Sequence, residues 1–284
     1  MQITEYRYQH GTEERLGYRA IPELHRLRPA APQFIRMNDL NIVLTRPTAF
    51  LYVDGYSMSP SNSGLNPVTT KNFMPALKTG SAHTAHEWVH TFEGKQHLKK
   101  VDIISSTCAA GIQALYEAEK LLTANEVEEV IIIGGERITE DTLRLFRELK
   151  IPVTCSDGFA YFRVEAGNQI TDINWDYVYH TNPFYFEAED LNKHIPEYQV
   201  DYVKLHGTGT LGNTRAEEDL AQLGTTLLCK PFIGHTQGIS ALVELGIVLD
   251  DPSTIGKVLV AANGAGGFFG TCTLNKLVEN GTAT

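Results

Sequence analysis

The chain has 284 residues, 42% of them apolar and 20% charged, with a formal net charge of -10. That length buries a large core as one big domain or two fused halves, and the acidic balance argues against non-specific nucleic-acid binding. No apolar run is long enough to span a bilayer, the first residues do not read as a signal peptide, and four scattered cysteines argue against a disulfide framework or a zinc knuckle. A cytoplasmic protein with reduced thiols and no membrane span is expected.

In chain order, residues 1–46 are rich in Arg, His and Pro, with a short strand near Ile3–Tyr8 and a helix-like stretch over Phe34–Leu44. Thr48–Asp54 is an apolar run suited to a strand, and Gly55–Asn66, rich in Ser, Gly, Asn and Pro, is a loop. Helical periodicity over Phe73–Phe92 puts His83, His86 and His90 on one face. A partly buried face is expected there, and no metal.

The chain turns on Val101–Leu115, where a β-branched run stops at Cys108 and small residues open a helix. A thiol held there sees the positive end of the helix dipole and unpaired backbone N–H groups, which favour thiolate. Two readings are open: an activated nucleophile, or a buried inert cysteine at a strand end. An amphipathic helix follows through Leu122, then a buried strand over Val127–Ile133 ending at Gly134-Gly135. Strand, helix and apolar strand in succession imply a parallel sheet covered on both faces. Asp141–Leu149 reads as a helix, Gly158–Glu165 as a strand, and Gly167-Asn168 as a hinge.

The second half repeats the grammar. Strands are expected over Tyr198–Leu205, Thr225–Lys230, Val258–Ala262 and Thr271–Leu274, with helices over Arg215–Leu223 and Gly238–Leu249. Two alternating halves suggest a duplicated α/β unit, divided as 1–166 with the cysteine and 167–284 with two histidines and a glycine-rich loop. Polar residues gather at strand ends, where open α/β folds build sites: His206-Gly-Thr-Gly-Thr210, Lys230 with His235 and the later Glu244, and the glycine-rich stretch 264–270.

Ser106-Thr107-Cys108-Ala-Ala-Gly111, then His206-Gly-Thr-Gly-Thr210, Lys230 followed by Gly234-His235, and Gly267-Phe268-Phe269-Gly270-Thr271 resemble the ordered signatures of the β-ketoacyl synthases, the condensing enzymes of fatty-acid and polyketide assembly. The resemblance runs from about Thr48 to Leu277. It implies a thiolase-like fold, a five-layer α-β-α-β-α sandwich of two similar halves, and dimerisation through the strand around Val101–Ser105. It implies that Cys108 takes an acyl group from an acyl carrier protein, and that His206 and His235 bind a malonyl thioester, drive its decarboxylation and stabilise the enolate. Lys230 then orders the histidine network with Glu244 as partner, Thr208 and Thr210 support the loop, and Cys108 and Phe268 supply the oxyanion N–H pair. Phe268 is also the expected gate. No cofactor is implied, because the carrier protein's phosphopantetheine arm delivers the substrates.

The departures matter too. The chain is short, as in the ketosynthase-like subunits that pair with a full-length ketosynthase in aryl polyene pathways, so a homodimer or a heterodimer with a full-length ketosynthase is expected. Leu211 and Thr214 stand where the family usually has Pro and often Asp, which puts the support of the His206 loop in doubt. Phe269 replaces a glycine beside the gate and is expected to narrow the acyl channel. Two other readings are a chain-length-factor-like partner that shapes another subunit's tunnel, and a simple Cys/His acyltransferase or thioesterase that leaves His235 idle. Lys95, Lys99 and Lys100 are candidates for docking the acidic carrier protein.

Overall fold

The computed structural model describes residues 1–10, 40–54, 81–136, 150–153, 155–179, 193 and 195–277. The helices expected over 73–80 and 141–149 and the loop over 55–66 lie outside the described residues.

The first sheet is built from β1 (Gln2–His10), β2 (Thr48–Val53), β3 (Leu98–Ile104), β4 (Glu129–Glu136) and β5 (Gly158–Glu165), in the order β1-β5-β4-β2-β3. The second is built from β6 (Ile170–Tyr177), β7 (Tyr202–Lys204), β8 (Thr225–Leu227), β9 (Gly256–Gly264) and β10 (Phe268–Lys276), in the order β6-β10-β9-β7-β8. Strand for strand the two orders are the same. Both sheets are mixed where the sequence implied a parallel one. β2 is parallel to β3 and β4, and β7 to β8 and β9, whereas β5 and β10 run antiparallel to both neighbours.

Strand alternation sorts side chains into layers. On β2, Ala49, Leu51 and Val53 enter the central core, while Phe50 and Tyr52 face outward against Trp88 and Phe92, which belong to α1 (Ser81–Thr91) and the residue beyond it. On β9, Val258, Val260 and Ala262 face the same central core, and Leu259 and Ala261 face an outer cluster with Ala216 and Leu220. Between the sheets lie α2 (Ala110–Thr123) and the helix over Ser240–Asp250, labelled α5 below. They approach closely because Gly111 has no side chain: a Cβ there would sit 3.1 Å from Leu242 and 3.2 Å from Ala241. Helix, sheet, paired helices, sheet and helix make the five layers.

Several boundaries differ from the sequence expectation. Residues 40–44 are extended instead of helical, because Leu44 and Ile42 exchange backbone hydrogen bonds with Glu93. The helix expected from Arg215 is α3, Leu211–Ala216, followed by a 3-10 turn over Leu220–Gln222. Lys230 does not end a strand but opens the short α4, Lys230–Ile233. The glycine-rich stretch is a tight β-hairpin whose turn, with φ of 97° at Gly266 and 92° at Gly267, joins β9 to β10.

Candidate active site

Cys108 sits in the turn between β3 and α2. Thr107 there adopts φ 49°, a left-handed conformation uncommon for a β-branched residue, and its hydroxyl donates to the Ala265 carbonyl at 2.9 Å. The turn and the hairpin touch so closely that a Cβ on Gly264 would lie 2.3 Å from Thr107 Oγ1 and 2.7 Å from the Ser106 carbonyl. Gln237 adopts the same conformation, φ 47°, three residues before α5 as Thr107 is three before α2. By that register Gly238 stands where Cys108 stands, so one of the two equivalent turns carries a thiol and the other carries none.

His235 follows α4. Its Nε2 lies 3.1 Å from Cys108 Sγ, its Nδ1 2.8 Å from Ser240 Oγ, and its carbonyl accepts from the Ser156 N–H at 3.0 Å. His206 lies two residues beyond β7, with its ring centroid 5.2 Å from that of His235 at 81°. The His206 loop has positive φ at Gly207 and Gly209, and Glu217 anchors it by accepting the N–H of His206 at 2.5 Å and of Gly207 at 3.2 Å. Asn213 donates to Thr208 Oγ1 at 2.6 Å, and the Thr208 and Thr210 hydroxyls are 3.2 Å apart. Glu217 and Asn213 thus supply the support that Leu211 and Thr214 put in doubt.

Lys230 is buried and spends all three ammonium hydrogens: on Glu244 Oε1 at 2.7 Å, the His206 carbonyl at 2.6 Å and His206 Nδ1 at 3.3 Å. An ammonium can only donate, so His206 Nδ1 is the acceptor and the ring proton sits on Nε2. Glu244 takes a second buried ammonium, Lys204, on Oε2. Burial holds both imidazoles well below their ordinary pKa, and the charges of Lys230 and Lys204 push the same way.

Burial also pushes the Cys108 thiol up to about 11, against the Lys230 charge and the N–H groups of Ala265 and Cys108 itself. This corrects the expectation of a resting thiolate: desolvation outweighs the helix terminus, and the cysteine rests as a thiol with a base beside it.

The structure also corrects the expected channel residue. Adjacent residues on a strand point to opposite faces, so Phe268 and Phe269 part company on β10. Phe268 lies on the central side, its ring 4.9 Å from Tyr177 and 6.2 Å from Trp175. Phe269 is fully buried on the outer face with Val203, Leu259 and Ala261. The N–H from the hairpin that acts on the sulfur is that of Ala265, which the sequence reading missed together with Lys204, Glu217 and Ser240. The signal for Lys204 was present: a lysine inside an apolar strand, two residues before a turn histidine.

Cys108, His206 and His235 bring ligand atoms within 4.8 Å of one another, a donor set that suits a soft divalent metal. Their protonation does not fit one, because Lys230 leaves His206 turning an N–H, not a lone pair, toward the sulfur. On α1, His86 and His90 pair through Nε2 atoms 2.8 Å apart. The lysines expected to dock a carrier protein lie at or just before the start of β3, about 20 Å along a seven-residue strand from the nucleophile turn. Lys95 bonds the His90 carbonyl and Lys100 pairs with Asp102 at 2.9 Å.

No family model matches the chain, and no curated protein sequence matches it. Solved structures do. A ketosynthase from module 6 of the bacillaene synthase of Bacillus subtilis superposes with a TM-score of 0.61 at 13% identity, over 84% of this chain and 56% of that one. The chain has the ketosynthase fold. The ishigamide ketosynthase/chain length factor gives 0.63 at 14% identity, over 85% and 77%, and a β-ketoacyl synthase from Burkholderia phymatum gives 0.64 at 12% identity, over 81% and 76%. The ketosynthase fold is thus carried here by a chain spanning little more than half the length of the bacillaene domain.

Proposed function

We propose that this chain is a catalytically equipped ketosynthase subunit that extends a Cys108-bound acyl chain by decarboxylative condensation with a malonyl thioester. The observation that carries the reading is the convergence of one thiol and two differently supported imidazoles, with His235 Nε2 3.1 Å from the sulfur. His235 takes the thiol proton as the sulfur attacks the acyl thioester, and returns it to the departing carrier thiolate. Ser240 Oγ both donates and accepts, so it tolerates His235 as base or as Nε2–H donor. In the second half-reaction the malonyl thioester oxygen sits between the two rings. Loss of CO2 puts negative charge on that oxygen, and N–H groups held there stabilise the transition state more than the ground state. The carbanion attacks the acyl-Cys carbonyl, a C–C bond forms, and the C–S bond to Cys108 breaks.

The phosphopantetheine arm of an acyl carrier protein is the proposed carrier of both substrates, with no further cofactor. We also propose the division at 166/167 as the boundary between the two halves. The edge strand β3 exposes Val101 and Ile103, an apolar edge suited to pairing with another subunit. That pairing favours the proposed heterodimer with a full-length ketosynthase. A second reading, a chain-length-factor-like partner, is favoured by the resemblance to the ishigamide ketosynthase/chain length factor. The intact Cys108, His206, His235 and Lys230 favour catalysis. A simple Cys/His acyltransferase would use His235 and leave His206, Lys230 and Glu244 without a task.

The test is malonyl-carrier-protein decarboxylation, with and without a partner ketosynthase. Activity of this chain is expected to vanish in the His206→Ala, His235→Ala double variant. Activity that survives both substitutions removes the proposed histidine roles.

A further inference from the structure

Lys204 has no place in the chemistry above, yet it is fully buried on β7, with β8 on one side and β9 on the other. Its ammonium meets one oxygen of Glu244 while Lys230 meets the other. Two ammonium ions on one buried carboxylate is a costly arrangement. A buried pair needs only one cation, and an apolar residue at position 204 would avoid the desolvation of the second.

The geometry shows what that cost does. Glu244 has two oxygens, and with only Lys230 as partner both would draw on the same ammonium and oppose its long 3.3 Å contact to His206 Nδ1. With Lys204 holding Oε2, Lys230 is confined to Oε1 and keeps its other two hydrogens on the His206 carbonyl and Nδ1. The remaining buried carboxylate at the loop, Glu217, is engaged by the His206 and Gly207 N–H groups.

We propose that Lys204 is a positioning residue: by occupying one oxygen of Glu244 it holds Lys230 on His206, fixes the Nε2–H tautomer, and sets a second positive charge beside the two imidazoles. The proposal rests on the reading of the site as a condensing centre, and it identifies a charge that keeps both imidazoles neutral, so that His206 offers an N–H to an enolate oxygen. The titrating groups that feel it come from several elements: His206 and Glu217 at the loop and α3, Cys229 and Lys230 at α4, His235 after it and Cys272 on β10, with the carboxylates of Glu244 on α5 and Glu136 on β4 as opposing charges. Removing one positive charge raises the pKa of every one of the titrating groups, whichever its type.

The test uses the whole chain and no condensation. The 15N-histidine signals of His206 are followed across pH in wild type, Lys204→Met and Lys204→Gln, with His206→Ala as blank and circular dichroism as the check of fold. Both neutral variants are expected to move the His206 titration midpoint upward by about one pH unit, the shift a unit charge makes through a partly screened interior. Met restores packing and Gln restores a hydrogen bond to Glu244, so a common shift reports charge. An unmoved midpoint in either folded variant overturns the proposal. Should neither fold, 15N-histidine spectra of wild type decide: His206 is expected to be neutral and Nε2-protonated at the ordinary imidazole value of about 6.5, and an imidazolium forming there overturns the proposal. Absence of malonyl turnover would sink the condensing-enzyme reading and leave these midpoints standing.

Discussion

Replacing Lys230 by Met separates the two half-reactions. Removing one partner of a buried ion pair usually costs about 3–5 kcal/mol because a bare charge is left behind. Here Glu244 keeps Lys204, so the loss is chiefly the hydrogen bonds to the His206 carbonyl and Nδ1, about 1–3 kcal/mol. The variant is therefore expected to fold. Acyl transfer to Cys108 loses the Lys230 charge that favours the thiolate, about tenfold near neutral pH, and recovers as the pH is raised. Decarboxylation loses the lock on the His206 tautomer, the equivalent of one oxyanion donor, and falls about 10²–10³-fold without recovering at alkaline pH. The assay pairs CO2 release from malonyl carrier protein with the mass of the acylated Cys108 peptide, from about pH 6 to pH 9. Parallel recovery of both steps with pH, or a fall in decarboxylation of less than about threefold, would refute the tautomer argument.

Phe269→Ala is expected to cost about 3–5 kcal/mol of stability by urea denaturation and to leave product chain length unchanged, since the ring fills the outer core; an altered length would return it to the channel. Glu217→Ala leaves the His206 and Gly207 N–H groups without their acceptor, so about 2–4 kcal/mol of stability goes with a drop in decarboxylation kcat larger than the change in KM. His206 and His235 are held below their ordinary pKa, so the unfolded chain binds more protons and stability falls as pH drops through the unfolded value of about 6.5. The pair contributes about 2–3 kcal/mol between about pH 7.5 and 5.5, and His206→Asn is expected to remove half of that slope; a slope equal in the two proteins contradicts it.

The nucleophile turn, the two histidines, Lys230 and Glu244 were legible because each sits in a short motif whose residue types state their own chemistry. The apolar runs of β2, β4 and β5 declared themselves by composition and length. What failed to show were properties set by contacts between distant segments. The thiol rests protonated because of burial, which the local dipole argument at Ala109–Gly111 does not contain. Phe269 was placed beside the gate by the family resemblance, in which a glycine stands there; β10 begins at Phe268, and alternation turns the two rings apart. Lys204 acquires meaning only when α5 brings Glu244 beneath β7.

Intact-mass and peptide mass spectrometry of the chain after incubation with acyl-loaded carrier protein tests the central claim most directly. The account predicts an acyl thioester on Cys108, formed by this chain alone or beside a partner ketosynthase, absent from Cys108→Ala and discharged when malonyl carrier protein is added. A wild-type chain that stays unmodified under both conditions, or carries its acyl group on another residue, contradicts it.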